Sequence, residues 1–334
     1  MLKCIEYHVQ TVGVNMAKAN KPSLEVNNPE QTTLSLIKPF IGIAVLYVAL
    51  ICLLPANNIV MDNYNLTSGQ YRILFFLVQL PYIIIWFTAF YGYSSLQKYT
   101  TSLKRSPESE DFRLIAKGVK YLAFGMPLIS LIAICLNSIS NMNQSFTPIA
   151  IITINYLSLL VPLIAYTTIR KGTHGLADRA KVKFSIADTR SIMFILVIIG
   201  VAYCYFTFRR LNLDSLGASD NPYYLPAWLM ISTVLIPYLF AWFSGLLAAY
   251  EIVLYSRQVQ GVLYRQSMRL LSLGIVGVIA GGVGLQYLRT VLPRTGYITI
   301  NNGLVWSYIF YVFLAVGFSL LILGAIRLKR IEDV

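Results

Sequence analysis

Only two histidines are available to this chain, His8 and His174, and both lie in polar stretches outside the apolar runs. Metal or haem ligation inside a membrane relies on imidazole or thiolate clusters. Cys52, Cys135 and Cys204 are spread singly through apolar runs, where a thiol behaves as a small hydrophobe, and no disulfide or metal spacing links them to Cys4. No lysine falls at mid-depth of an apolar run, which removes a Schiff base of the retinal type. Glycine-rich phosphate loops and a Gly-x-Ser-x-Gly elbow are absent as well. The expectation is a protein with no metal and no cofactor that is not an enzyme.

One carboxylate stands apart. Glu251 lies within Ala248-Ala249-Tyr250-Glu251-Ile252-Val253-Leu254-Tyr255, close to the end of a long apolar run. Placing a carboxylate in hydrocarbon costs at least ~2.5–3.5 kcal/mol, so such a residue marks either an ion or proton site or a turn that escapes the hydrocarbon. On the first reading Glu251 faces the bundle interior and binds a proton or cation. On the second it lies at headgroup depth, paired with Arg257 or another cytoplasmic cation. The length of the run favours the second.

The aromatic residues carry the other candidate chemistry. Pro81-Tyr82-Ile83-Ile84-Ile85-Trp86-Phe87 returns as Pro237-Tyr238-Leu239-Phe240-Ala241-Trp242-Phe243, an offset of 156 that also relates Tyr99 to Tyr255. Each tyrosine precedes its tryptophan by four residues and therefore shares a helical face with it. Tryptophan ordinarily belongs at the membrane interface, and both of these fall near mid-span. Tyr82, Trp86, Tyr238 and Trp242 thus form either an aromatic core where two halves of the chain meet or the wall of a ligand cavity.

The elements that must position these residues are membrane helices. The 334-residue chain is 57% hydrophobic and 12% charged, against roughly 25% charged in soluble domains. Eight apolar runs, at about 39–55, 71–97, 118–139, 148–169, 191–208, 225–255, 270–287 and 304–327, approach or exceed the ~20 residues a membrane span requires. The predicted fold is an all-α polytopic membrane protein of eight transmembrane helices arranged as two four-helix repeats. Because four spans return the chain to its starting side, the repeats are parallel. The domains read as a polar tail (1–38), a first repeat (39–170), a basic linker (171–190) and a second repeat (191–330). The tail has no signal-peptide h-region, since Lys3, Glu6 and His8 interrupt its start. Met16 invites the reading that residues 1–15 are an upstream extension.

Charge sets the expected orientation. Twenty-two of the 27 Lys and Arg residues fall in the termini and in alternate loops, leaving Arg72, Arg209, Arg210, Arg289 and Arg294 on the opposite side. Both termini are therefore expected in the cytoplasm, with the protein integral to a plasma or inner membrane. The net charge of +13 is spread between spans rather than over one face, which argues against nucleic acid as a partner. The run after residue 270 holds Gly277 and Gly281 in a small-x3-small pattern suited to close helix packing. Gln79, Asn137, Asn155 and Gln286 read as interhelical hydrogen-bonding groups.

With no catalytic set, the leading functional expectation is a membrane subunit, of sensor or assembly type, that binds partner helices or an apolar ligand near the duplicated motif. Its partners would be the bilayer and other membrane subunits or a second copy of the chain. A secondary transporter or channel for a small neutral or apolar solute is the alternative, motivated by the parallel repeats, and a membrane enzyme is a further one that no motif supports.

Overall fold

In hydrocarbon a backbone can satisfy its N–H and C=O groups within a single segment only by forming a helix. The computed structural model describes residues 29–53, 67–103, 106–142, 147–182, 236–290 and 300–332, together with Phe194 and Ile198. These residues form seven helices: α1 (Pro29–Leu53), α2 (Ser68–Ser102), α3 (Ser109–Met142), α4 (Thr147–Arg179), α5 (Ile236–Gln258), α6 (Val262–Thr290) and α7 (Ile300–Glu332). Five of them, α2, α3, α5, α6 and α7, contain segments long and apolar enough to cross a membrane, and α1 holds a shorter apolar stretch, Ile37–Leu53. The expected fifth span, 191–208, lies outside the described residues except for Phe194 and Ile198, which are helical.

Several helices run well beyond the apolar windows, all at the basic end. α3 starts at Ser109 rather than near 118, α6 starts at Val262 rather than near 270, and α4 continues to Arg179 through residues assigned to the linker. Hydropathy marks only the part of a helix that must suit lipid, whereas these extensions are held by packing. Phe112 and Ile115 on α3, Leu176 and Ala177 on α4, and Met268 on α6 are all buried. The linker glycines serve close approach here: a Cβ on Gly172 would meet the Asp111 backbone and Ile115, and one on Gly175 would meet the Asp111 carboxylate.

Six helices close into a ring, with each helix from α2 to α7 packed on the next and α7 returning to α2. α1 lies outside the ring against α2 and α3. Adding 156 to residue numbers carries the order α2, α3, α4 onto α5, α6, α7. Burial coincides at many paired positions, among them Ile85 with Ala241, Leu96 with Ile252, Ile115 with Leu271, and Val119 with Ile275. Glycines recur at 118 and 274 and again at 125 and 281. A Cβ on Gly118 would lie 2.7 Å from the Ala165 carbonyl of α4, and one on Gly274 would lie 2.8 Å from the Gly317 carbonyl of α7. Absence of a side chain thus lets α3 approach α4, and α6 approach α7, backbone to backbone. Gly277 and Gly281 belong to the same α6–α7 contact, against Gly317 and against Leu314 and Phe310.

The outward faces are apolar. Ile41, Val45, Ile73, Ile84, Val312 and Val316 are exposed, as expected of surfaces whose solvent is lipid. Cys52 and Cys135 are exposed on the same faces as free thiols. Gln79 accepts a hydrogen bond from the Tyr47 hydroxyl at 2.7 Å, tying α2 to α1. Asn137 is exposed, and the side chains of Asn155 and Gln286 lie outside the described set.

Candidate functional site

All six ring helices contribute to one central cavity of about 100 Å³. Tyr82 comes from α2, Leu122, Met126 and Ile129 from α3, and Ser158, Val161, Pro162 and Tyr166 from α4. The facing wall is Tyr238 and Trp242 of α5, Val278, Gly282 and Leu285 of α6, and Leu314 of α7. Five pairs across this cavity differ by 156: Tyr82 with Tyr238, Leu122 with Val278, Met126 with Gly282, Ile129 with Leu285, and Ser158 with Leu314. The space therefore lies where corresponding positions of the two helix sets meet. Its lining is asymmetric in bulk, because the position that holds Met126 in one set holds Gly282 in the other. No atom comes within 4 Å of a Cβ built on Gly282, so the missing side chain opens the cavity there.

Three of the four aromatic residues singled out from the sequence line this space: Tyr82, Tyr238 and Trp242. Trp86 does not. It is fully buried, edge-on to Tyr47 of α1 at 4.9 Å and to Tyr82 at 5.4 Å. Its indole Nε1 has no hydrogen-bond partner among the described residues. The cavity wall is mostly hydrocarbon and aromatic ring, with polar atoms at a few points. Pro162 has no N–H to donate to the carbonyl of Ser158 one turn earlier, which leaves an acceptor beside the cavity.

A second cluster lies at the basic end of the α4–α5 contact. Glu251 is only 2% exposed. Its Oε2 accepts a hydrogen bond from the Thr173 hydroxyl at 2.5 Å, and its Oε1 lies 3.6 Å from His174 Nδ1 and 3.9 Å from Arg170 Nε. Among the described residues, the basic side chains within 4 Å thus come from α4, and Arg257 is not among them. Burial in the bundle and pairing to a basic-end cation, two alternatives in the sequence, are both present. These partners escaped the sequence reading because Lys171 onward was read as linker. Taken as helix, Arg170, Thr173 and His174 fall at i, i+3 and i+4 on one face, and that spacing was the available signal.

Two further polar ties hold this end together. Arg179 Nε donates to Asp111 Oδ2 at 2.7 Å, joining the end of α4 to the start of α3. The Tyr255 hydroxyl donates to Glu108 Oε1 at 2.6 Å, joining α5 to the residue before α3. Tyr99 and Tyr255, related by the offset of 156, both lie close to Tyr264 of α6. Among the described residues no group of three or more His, Cys, Asp or Glu side chains is placed to hold a metal ion.

Compared with known protein families, with curated proteins and with solved structures, the chain finds no match.

Proposed function

We propose that this is a non-enzymatic multi-pass membrane protein, built from two parallel repeats with both termini in the cytoplasm, whose centre binds a small, mainly apolar ligand. The observation that carries this reading is the central cavity, walled in part by Tyr82, Tyr238 and Trp242 of the recurring motif and bounded by all six ring helices. At about 100 Å³ it is smaller than the apolar cavities of about 150 Å³ that take up benzene or xenon, so it suits a ligand no larger than a single ring or a short chain. The Ser158 carbonyl freed by Pro162 favours a ligand with one hydrogen-bond donor. The repeat is supported by the matching ring order and by the paired burial at an offset of 156. The orientation rests on the distribution of Lys and Arg.

The test compares benzene, phenol and pyrrole as stabilisers of the detergent-solubilised protein, because a ligand that binds only the folded state raises its apparent stability. Phenol and pyrrole should exceed benzene through the donor. Gly282→Leu, which fills the cavity, should abolish the stabilisation while leaving the ligand-free protein folded. Equal stabilisation of the native and Gly282→Leu proteins would overturn the reading.

A transporter for the same class of solute is the second reading, favoured by one observation: the cavity lies between the two helix sets rather than inside either. Uptake of labelled phenol into proteoliposomes, lost in Gly282→Leu, separates transport from binding alone.

A further inference from the structure

Glu251 presents a problem that the central cavity does not touch. Its carboxylate is withdrawn from solvent, yet two of its three neighbours reach solvent: the Arg170 side chain is 42% exposed and that of His174 is 64% exposed. The third, Thr173, is fully buried, and its single hydroxyl proton has two acceptors in reach, Glu251 Oε2 at 2.5 Å and the Arg170 carbonyl at 3.1 Å. A structural ion pair would be expected to enclose both charges. Here one oxygen is anchored within the bundle by a hydroxyl, and the other faces an imidazole that reaches outward.

We infer that Glu251 is a proton-binding site of the bundle, which exchanges its proton with the basic side through His174. Both protonation states have partners in this arrangement. As the anion, Glu251 accepts from Thr173 and lies beside Arg170. As the acid, its O–H donates to Nδ1 of neutral His174 once the 3.6 Å between them closes to hydrogen-bond distance, and Arg170 is free to turn to water. Imidazole takes up a proton at one nitrogen and releases one from the other, so a proton taken from water by His174 passes to Glu251 Oε1 and returns along the same route. The charged and titratable groups acting on Glu251 are Arg170 and His174, both from α4. From α6, the other helix packed on α5, the nearby polar group is Ser272, whose hydroxyl donates to the Ala249 carbonyl at 2.8 Å. Two other acidic groups at this end have their own partners: Asp111, which lies against Gly175 beside His174, is bound by Arg179, and Glu108 is held by Tyr255, one helical turn beyond Glu251.

Among the described residues the site occurs once, although the helix sets correspond at an offset of 156. The positions matching Glu251, Thr173 and His174 at the other contact between the sets are Ser95, Lys329 and Arg330. Protonation therefore acts on the α4–α5 contact and leaves α2–α7 unchanged.

Dicyclohexylcarbodiimide tests this on the full native chain. The protonated carboxyl adds its O–H across a C=N bond of the reagent, and the acyl group then migrates to nitrogen to give a stable N-acylurea that peptide mass spectrometry can locate. In vesicles of uniform orientation, labelling of Glu251 should rise several-fold when the basic side is acidified and stay unchanged when the opposite side is acidified. Gly282→Leu should label like the native chain, which separates this site from the cavity. Infrared difference spectra between mildly alkaline and mildly acidic buffer should lose one carboxylic C=O band in Glu251→Gln, and the labelling decides alone if that variant does not fold. Absence of label on Glu251, labelling that ignores pH, or labelling that follows the opposite side would each overturn the inference.

Discussion

Neighbouring glycines on α6 should respond to alanine with opposite signs. A Cβ at position 281 would fall 2.6 Å from Leu314 Cγ and 2.9 Å from both the Leu314 nitrogen and the Phe310 carbonyl. Two of those atoms are backbone, so α7 itself must shift to admit the methyl. Overpacking of this kind costs about 1–3 kcal/mol. At position 282 a Cβ would meet nothing within 4 Å and would project into the cavity. Both substitutions gain roughly 0.8–1 kcal/mol from the higher helix propensity of alanine. Subtracting one from the other removes that shared gain, so the difference reports steric strain alone: Gly281→Ala should be about 1–3 kcal/mol less stable than Gly282→Ala. Gly282→Ala should in turn match or exceed the native protein. Reversible unfolding in mixed detergent micelles measures all three. Equal stabilities of the two variants would mean that α6 and α7 do not approach at Gly281, and the account of this close contact would fail.

Two further outcomes follow from the packing and the charge pattern. Trp86→Ala should cost roughly 3–5 kcal/mol, the usual range for a buried tryptophan, whereas Trp86→Phe should recover most of it because the indole N–H has no partner among the described residues to lose; unfolding of both variants in detergent checks this, and equal losses would contradict it. In intact cells, a membrane-impermeant thiol reagent should label Ser145→Cys and spare Ser109→Cys in a background without exposed thiols, and the opposite pattern would reverse the proposed orientation.

The membrane class, the apolar runs and the Tyr-x3-Trp duplication were legible in the sequence because each depends on local composition or on residues that stayed identical. Hydrocarbon imposes its demand on every consecutive residue of a span, so the signal needs no knowledge of neighbours. Gly118 and Gly274, and Gly125 and Gly281, were equally visible as identities, but their purpose required the partner helix: glycine marks a close approach only once the approaching backbone is known.

The cavity was legible only in part. Tyr82, Tyr238 and Trp242 could be named from the motif, whereas Met126 and Gly282 correspond in position but not in side chain, and it is that difference in bulk that leaves space between them. Trp86 shows the converse, since an identical motif residue turns to Tyr47 of α1 and not to the cavity. Glu251 was conspicuous as a carboxylate in an apolar run, yet its surroundings depended on α4 continuing past Arg170, which hydropathy could not reveal because those turns need not suit lipid. Sequence determined which segments must be helical and which side chains are costly to bury. Tertiary structure decided which of them face one another, because closing six helices into a ring is a property of the contacts between segments and of no segment alone.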